Sequence, residues 1–286
     1  MTRPPPGVRR TDPRFIAIRC LRSLRPAHAA ALAAPLPAAV DNSRHPDTNQ
    51  GQSSACTAHA LVKCVEIVTG FSGSEHVLYS LSGTRGGENP LVDDGRCLSD
   101  CLAVIQTMGL APFEGPSPDG RNSDVWTADD TSVPPNVCVA ATAAEIGAAS
   151  EHVYAGLGLN SIDPADSNVS NLVAACLAAG GAVYLGTQVG QAFEQLGGTT
   201  IAQPDPANDP NGGGHALALV GYRTASDGSR QFRVQNSWGE SWDDAGECWA
   251  SLAWLQACWE LHPLVPASPA PPTILQSVED ELRAIV

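Results

Sequence analysis

Asn49-Gln50-Gly51-Gln52-Ser53-Ser54-Ala55-Cys56 leads directly into Thr57-Ala58-His59-Ala60-Leu61-Val62-Lys63-Cys64-Val65. The first stretch is small and polar. In the second, Ala60, Leu61, Cys64, Val65 and Val68 recur at three- and four-residue spacing, and Gly70 closes the pattern. That arrangement predicts a helix with Cys56 in its first turn. A thiol attacks a carbonyl well only as thiolate, and a helix N-terminus favours that form through its dipole and free N–H groups. Taken alone, Cys56 still reads most simply as a small buried residue at a helix start. The rest of the chain changes that reading.

Working outward, the 286 residues suffice for one large domain or two small ones. The formal net charge of −14 is unevenly spread: residues 1–30 hold seven Arg and one acid, Asp12, so the remainder carries −20. An acidic body disfavours nucleic acid and anionic membrane as partners. No apolar run reaches the roughly 18–20 residues that a bilayer span needs. Arg9-Arg10 before Phe15-Ile16-Ala17-Ile18 has the outline of an export signal, but Arg19, Arg22 and Arg25 interrupt any apolar core, so a cytoplasmic location is expected ahead of export. Nine Cys are too few for a disulfide-dense scaffold. Cys97 and Cys101 are one helical turn apart without two further ligands at zinc spacing, which favours packing or a disulfide.

Along the chain, residues 1–35 form a basic, Pro- and Ala-rich extension, and Leu36 to Asp41 an extended segment. A second helix is expected from Leu98 to Met108, a polar loop over 112–136, a helix near 168–179, and a strand at Ala182–Val189. His215–Tyr222 is nearly all apolar, as in a strand buried on both faces. Gln231–Asn236 alternates, after an Asp227-Gly228 turn. A Pro-rich linker follows at 263–272, then a short amphipathic helix with Leu275, Val278, Leu282 and Ile285 on one stripe. Helices first and strands later indicate an α+β protein of two lobes.

Three separated motifs now combine. Gln50-Gly51 precedes Cys56 by six residues; Gly214-His215-Ala216-Leu217-Ala218-Leu219-Val220-Gly221-Tyr222 follows far downstream; Gln235-Asn236-Ser237-Trp238-Gly239 comes last, with Trp242 and Gly246 after it. In this order they resemble the active-site segments of papain-like cysteine peptidases, in a bacterial-type version, over about residues 36–257. The resemblance implies a papain-like two-lobed fold, with a helical lobe (about 50–125), a β-barrel-like lobe (about 130–260) and a cleft between them. The catalytic domain would span 36–262, with 263–286 as linker and tail.

The resemblance also implies roles. Cys56 is the nucleophile, His215 its base and Asn236 the residue orienting the base, while Trp238 shields their bond. Gln50 and the Cys56 N–H hold the oxyanion, and Gly95, Arg96 and Gly214 line the substrate path. The substrate is a polypeptide, and neither cofactor nor metal is required. A thiolate–imidazolium pair is expected to keep Cys56 reactive at pH 5–6. Gly212-Gly213-Gly214 reads equally as a close-approach segment or as plain loop, and His59 as a core residue beneath the site.

The chain departs from the family pattern in places. Ser53 stands where the family has a cysteine, so the usual disulfide there is absent. Thr57 replaces the aromatic after the nucleophile. His215 and Asn236 lie 159 and 180 residues beyond Cys56, farther than usual. A short extension replaces the inhibitory pro-domain; charge attraction alone would hold it weakly, so the full-length chain is expected to be active, with deletion of 1–35 changing activity by less than about tenfold. These departures leave two rival readings. One is a catalytically weak or inactive protein that binds a peptide or partner; the other is a deamidase or transglutaminase-like acyl-transfer enzyme.

Overall fold

The computed structural model describes the backbone of Val8–Arg9 and residues 35–43, 48–113, 140–158, 160–205, 209 and 212–266. The expected loop core at 114–139 and the amphipathic tail helix lie outside the described residues.

The central helix is α1 (Cys56–Thr69), nearly all of whose side chains are buried, and Gly70 ends it in the left-handed conformation. Two helices pack beside it. α2 (Glu75–Arg85) is capped by Ser74, whose hydroxyl accepts from the Val77 N–H; Glu75 and Arg85 complement its dipole at either end. α3 (Leu98–Thr107) buries Leu98, Cys101, Leu102 and Ile105, the expected face. α4 (Ala143–Ser150) opens on a Thr142–Glu145 capping box. It docks on this same lobe: a Cβ on Gly109, at φ +96°, would strike the Ala149 carbonyl oxygen, and the Tyr154 N–H donates to Ile105 O. The helical lobe therefore takes residues 143–157, which the sequence division put in the β-rich lobe. Their own apolar pattern is weak, and only packing assigns them.

The second lobe is built on a seven-stranded sheet in the order β5-β8-β7-β6-β4-β9, with β2 added on β6. Its strands are β2 (Ala39–Asp41), β4 (Ala182–Val189), β5 (Ile201–Ala202), β6 (Gly213–Thr224), β7 (Arg230–Gln235), β8 (Glu247–Ala250) and β9 (Glu260–Leu264). Three short helices accompany them: α5 (Val169–Ala178), α6 (Gln191–Glu194) and α7 (Leu252–Gln256). The apolar run in β6 serves two cores. Ala216, Ala218 and Val220 belong to the helical core, while Leu217, Leu219 and Tyr222 belong to the sheet core. Because side chains alternate along a strand, the small Ala216 and Ala218 fall with Val220 on the face toward α1 and let the helix approach closely, while a register shift between Leu219 and Gly221 turns Tyr222 to the other face.

β9 corrects the placement of the Pro-rich linker. Its Pro263 pairs with Val183 and its Leu264 is fully buried, so the domain runs to about residue 266. β9 is an edge strand, where a residue without an N–H is tolerated. At the other end, Val8–Arg9 forms β1, a parallel pair with β3 (Arg96–Cys97). The extension is thus held by backbone pairing, which charge attraction alone did not anticipate. Among the described residues no helix is long and apolar enough to cross a membrane.

Candidate active site

β6 and the end of β7 bring two of the expected residues together. His215 Nε2 lies 2.8 Å from Asn236 Oδ1, and both residues are buried. That oxygen also accepts the Ser237 N–H at 2.8 Å. An oxygen receiving one donor here is the acceptor for the ring as well, so Nε2 carries the proton and Nδ1 the lone pair. Trp238 stacks on the imidazole with centroids 4.8 Å apart and is itself packed edge-on by Trp242 and Phe193. This aromatic cover keeps water from the His215–Asn236 bond, and a polar contact in a drier setting is electrostatically stronger.

Cys56 is the first residue of α1 and is fully buried. Its sulfur meets the backbone N–H groups of Ala216, the neighbour of His215, and of Thr57. Both stabilise an anion, yet loss of water around the thiolate outweighs them and pushes the thiol up to about 12. Burial thus acts against the low-pKa thiolate expected from the sequence. The backbone N–H of Cys56 is among those that a helix start leaves without an intrahelical acceptor.

Gln50 is tied from three sides. Its N–H donates to Ser237 O at 2.9 Å, its side-chain Oε1 accepts from Ser237 Oγ at 2.6 Å, and its Nε2 donates to Ser53 O at 2.6 Å. One amide hydrogen is thereby used and the orientation of the group is fixed, with the second hydrogen still to donate. Ser237, inside the Asn-Ser-Trp-Gly motif, thus orients Gln50, a part the sequence reading did not give it.

With this geometry in view, residues 149–255 match the papain family cysteine protease profile. Over those residues the chain resembles a papain-family cysteine protease domain. Its fold is similar to that of xylellain, a cysteine protease from Xylella fastidiosa, at 20% identity and TM-score 0.69 over 94% of this chain and 99% of that one. It is also similar to bromelain from Ananas comosus in complex with the E64 inhibitor (19% identity, TM-score 0.56, covering 80% of this chain and 100% of that chain). A third likeness is to the proform of Amb a 11, a ragweed pollen allergen and cysteine protease (19%, TM-score 0.58, 88% and 72%). No curated protein sequence matches the chain.

Other expected residues of the domain are placed differently. Gly95, at φ +79°, uses both its polar groups internally: its N–H donates to Tyr79 Oη at 3.1 Å and its carbonyl accepts from Arg96 Nη1 at 2.8 Å. The Arg96 side chain is wholly buried rather than facing substrate. It stacks on the Tyr79 ring at 4.1 Å and donates to Tyr79 O and Val92 O. Both corrections have one cause: the loop ahead of β3 folds onto Tyr79. Pairing capacity at this rim therefore belongs to the Arg96–Cys97 backbone, which β1 engages. Gly214 lies in β6 opposite Gln188, at the edge of the site. Thr57 is fully buried beside Cys101, which is a free thiol and so is not bridged to Cys97. His59 is buried near Glu75 and Lys63, and burial lowers it to about 3.

Proposed function

We propose that the chain is a cysteine peptidase that hydrolyses polypeptides, with Cys56 as nucleophile, His215 as general base and acid, Asn236 as orienter and Gln50 as oxyanion donor. The orientation of His215 carries this reading. The bond to Asn236 Oδ1, an oxygen that also takes the Ser237 N–H, puts the ring proton on Nε2 and leaves Nδ1 as the basic nitrogen.

In this mechanism the Cys56 proton passes to His215 Nδ1 as the sulfur bonds to the scissile carbonyl carbon. The resulting oxyanion takes the Cys56 N–H and the second Gln50 Nε2–H; such a donor is worth about 3–4 kcal/mol. The imidazolium proton then goes to the leaving amine, the C–N bond breaks, and a thioester remains. Water gives a proton to His215, its oxygen attacks the thioester, and the acid leaves with the thiol restored. Nothing in these steps draws on a cofactor. The Arg96–Cys97 backbone and Gly214 line the path of an extended substrate.

The test is incubation of the full-length chain with a diverse peptide library, with and without a thiol-trapping epoxide. Cleavage blocked by epoxide attached at Cys56 is expected. Release of ammonia without chain cleavage favours a deamidase, and cleavage that survives labelling of Cys56 overturns the proposal.

A further inference from the structure

Ser53 and Ser54 sit on the loop that delivers Cys56, with no cysteine there to anchor it. A carboxylate reaches that loop from 39 residues away. Both oxygens of Asp93 accept the Ser54 N–H, at 3.0 and 2.9 Å. Oδ1 also accepts Tyr79 Oη–H at 2.8 Å, and Tyr79 Oη in turn accepts the Gly95 N–H at 3.1 Å. The nucleophile loop, helix α2 and the rim before β3 are thus joined through two side chains, Asp93 and Tyr79. Arg96 closes the arrangement from beneath, stacked on Tyr79 and bonded to Glu88, Asp94 and Gly95 O.

The chemistry at Asp93 is one-sided. Each of its hydrogen bonds is received from a donor, which suits an acceptor-only side chain. Both proposed oxyanion donors depend on this loop: Gln50 Nε2 is fixed by Ser53 O, next to Ser54, and the Cys56 N–H lies two residues beyond it. We propose that Asp93 is a positioning residue for the oxyanion hole, its carboxylate holding the Ser53–Cys56 loop in register with the substrate rim. This rests on the peptidase reading above.

The test compares full-length wild type with Asp93→Asn. An amide cannot receive both Tyr79 Oη–H and Ser54 N–H without aiming its own NH2 at a donor. Peptide kcat is expected to fall roughly ten- to hundredfold, since small misplacement of catalytic groups has effects of that order. KM and the rate of Cys56 alkylation by iodoacetamide, which needs no oxyanion hole, should stay within threefold. Unchanged kcat in Asp93→Asn, or parallel loss of hydrolysis and alkylation, overturns the proposal.

Should Asp93→Asn fail to fold, amide exchange in the otherwise intact Cys56→Ala chain decides. A Ser54 N–H protected well beyond its loop neighbours supports the tether, and exchange at the rate of an exposed loop refutes it. If wild type cleaves no peptide, the peptidase reading and the positioning role fall together, and Ser54 exchange still tells whether the tether exists.

Discussion

His215 and Asn236 come from adjoining strands of one sheet, so the spacing of the ladder sets their 2.8 Å contact and three aromatic rings cover it. On the opposite wall, Gln50 sits in a loop with little regular structure that leads into Cys56 at the start of α1, and that loop is held by side chains far away in sequence: Ser237, Asp93 and, through Tyr79, Arg96. One wall is positioned by backbone pairing and apolar packing, the other by polar contacts at irregular backbone. Polar networks fail when a single partner is removed, whereas a packed sheet distributes its strain. The chemistry should accordingly be lost abruptly at the reacting atoms, and by degrees at what holds them.

The largest effect is expected at the reacting atoms. Cys56→Ala and His215→Ala should each lower peptide kcat by about 10³-fold or more, since members of a catalytic unit fail together. The melting temperature of Cys56→Ala should hardly move, because Ala fills most of the volume of a buried thiol. Turnover close to wild type in the Cys56 variant would remove the nucleophile from the mechanism and leave the contrast between the walls without a reaction to serve.

Reactivity of the thiol measures directly how strongly burial acts on it. With Cys56 pushed up to about 12 by burial, its thiolate fraction grows tenfold per pH unit throughout the neutral range. Iodoacetamide labelling of Cys56, followed by mass spectrometry in the full-length chain, should rise about a thousandfold from pH 6 to pH 9. Fast labelling that is flat from pH 5 upward would mean that a thiolate–imidazolium pair exists before substrate arrives. The helical wall would then be as pre-set as the sheet wall.

Asn236→Ala tests the sheet wall at its support. Losing one hydrogen bond that fixes the imidazole costs ~1–2 kcal/mol, so kcat should drop about five- to thirtyfold with KM little changed. A loss as large as that of His215→Ala would show that Asn236 does more than orient the ring.

How much of this was readable from sequence follows the same division. The run Ala216–Tyr222 and the boundaries of β4 could be read because burial on both faces leaves a continuous apolar signal. The joining of His215 to Asn236 followed from motifs, each carried on one short strand. α2 went unread: its buried face includes Ser80 and Ser82 beside Val77, Leu78 and Leu81, which blurs any helical period. β9 was hidden by Pro263, which punctuates sequence whether it lies in a linker or an edge strand. Asp93 gave no local signal, since its partners Ser54 and Tyr79 lie 39 and 14 residues away. The Arg96 side chain was assigned to the cleft by position alone, whereas stacking on Tyr79 turns it inward.

The smallest expected effect concerns the extension. Val8–Arg9 pairs with Arg96–Cys97, the stretch whose backbone an extended substrate would use. Two paired residues contribute ~1 kcal/mol each, and the Arg-rich charge of residues 1–30 adds little once salt screens it. Deleting residues 1–35 should therefore raise kcat/KM on a peptide by about three- to thirtyfold, which widens the tenfold limit set by charge alone. The gain should appear mainly in KM, because the extension competes for the rim and leaves the reacting atoms untouched. It should shrink only slightly at high salt, since backbone pairing is screened far less than exposed charge. A hundredfold gain would mean that the extension also blocks the sheet wall. No gain at all would mean that the β1 pairing does not compete with substrate, leaving the helical rim open in the full-length chain.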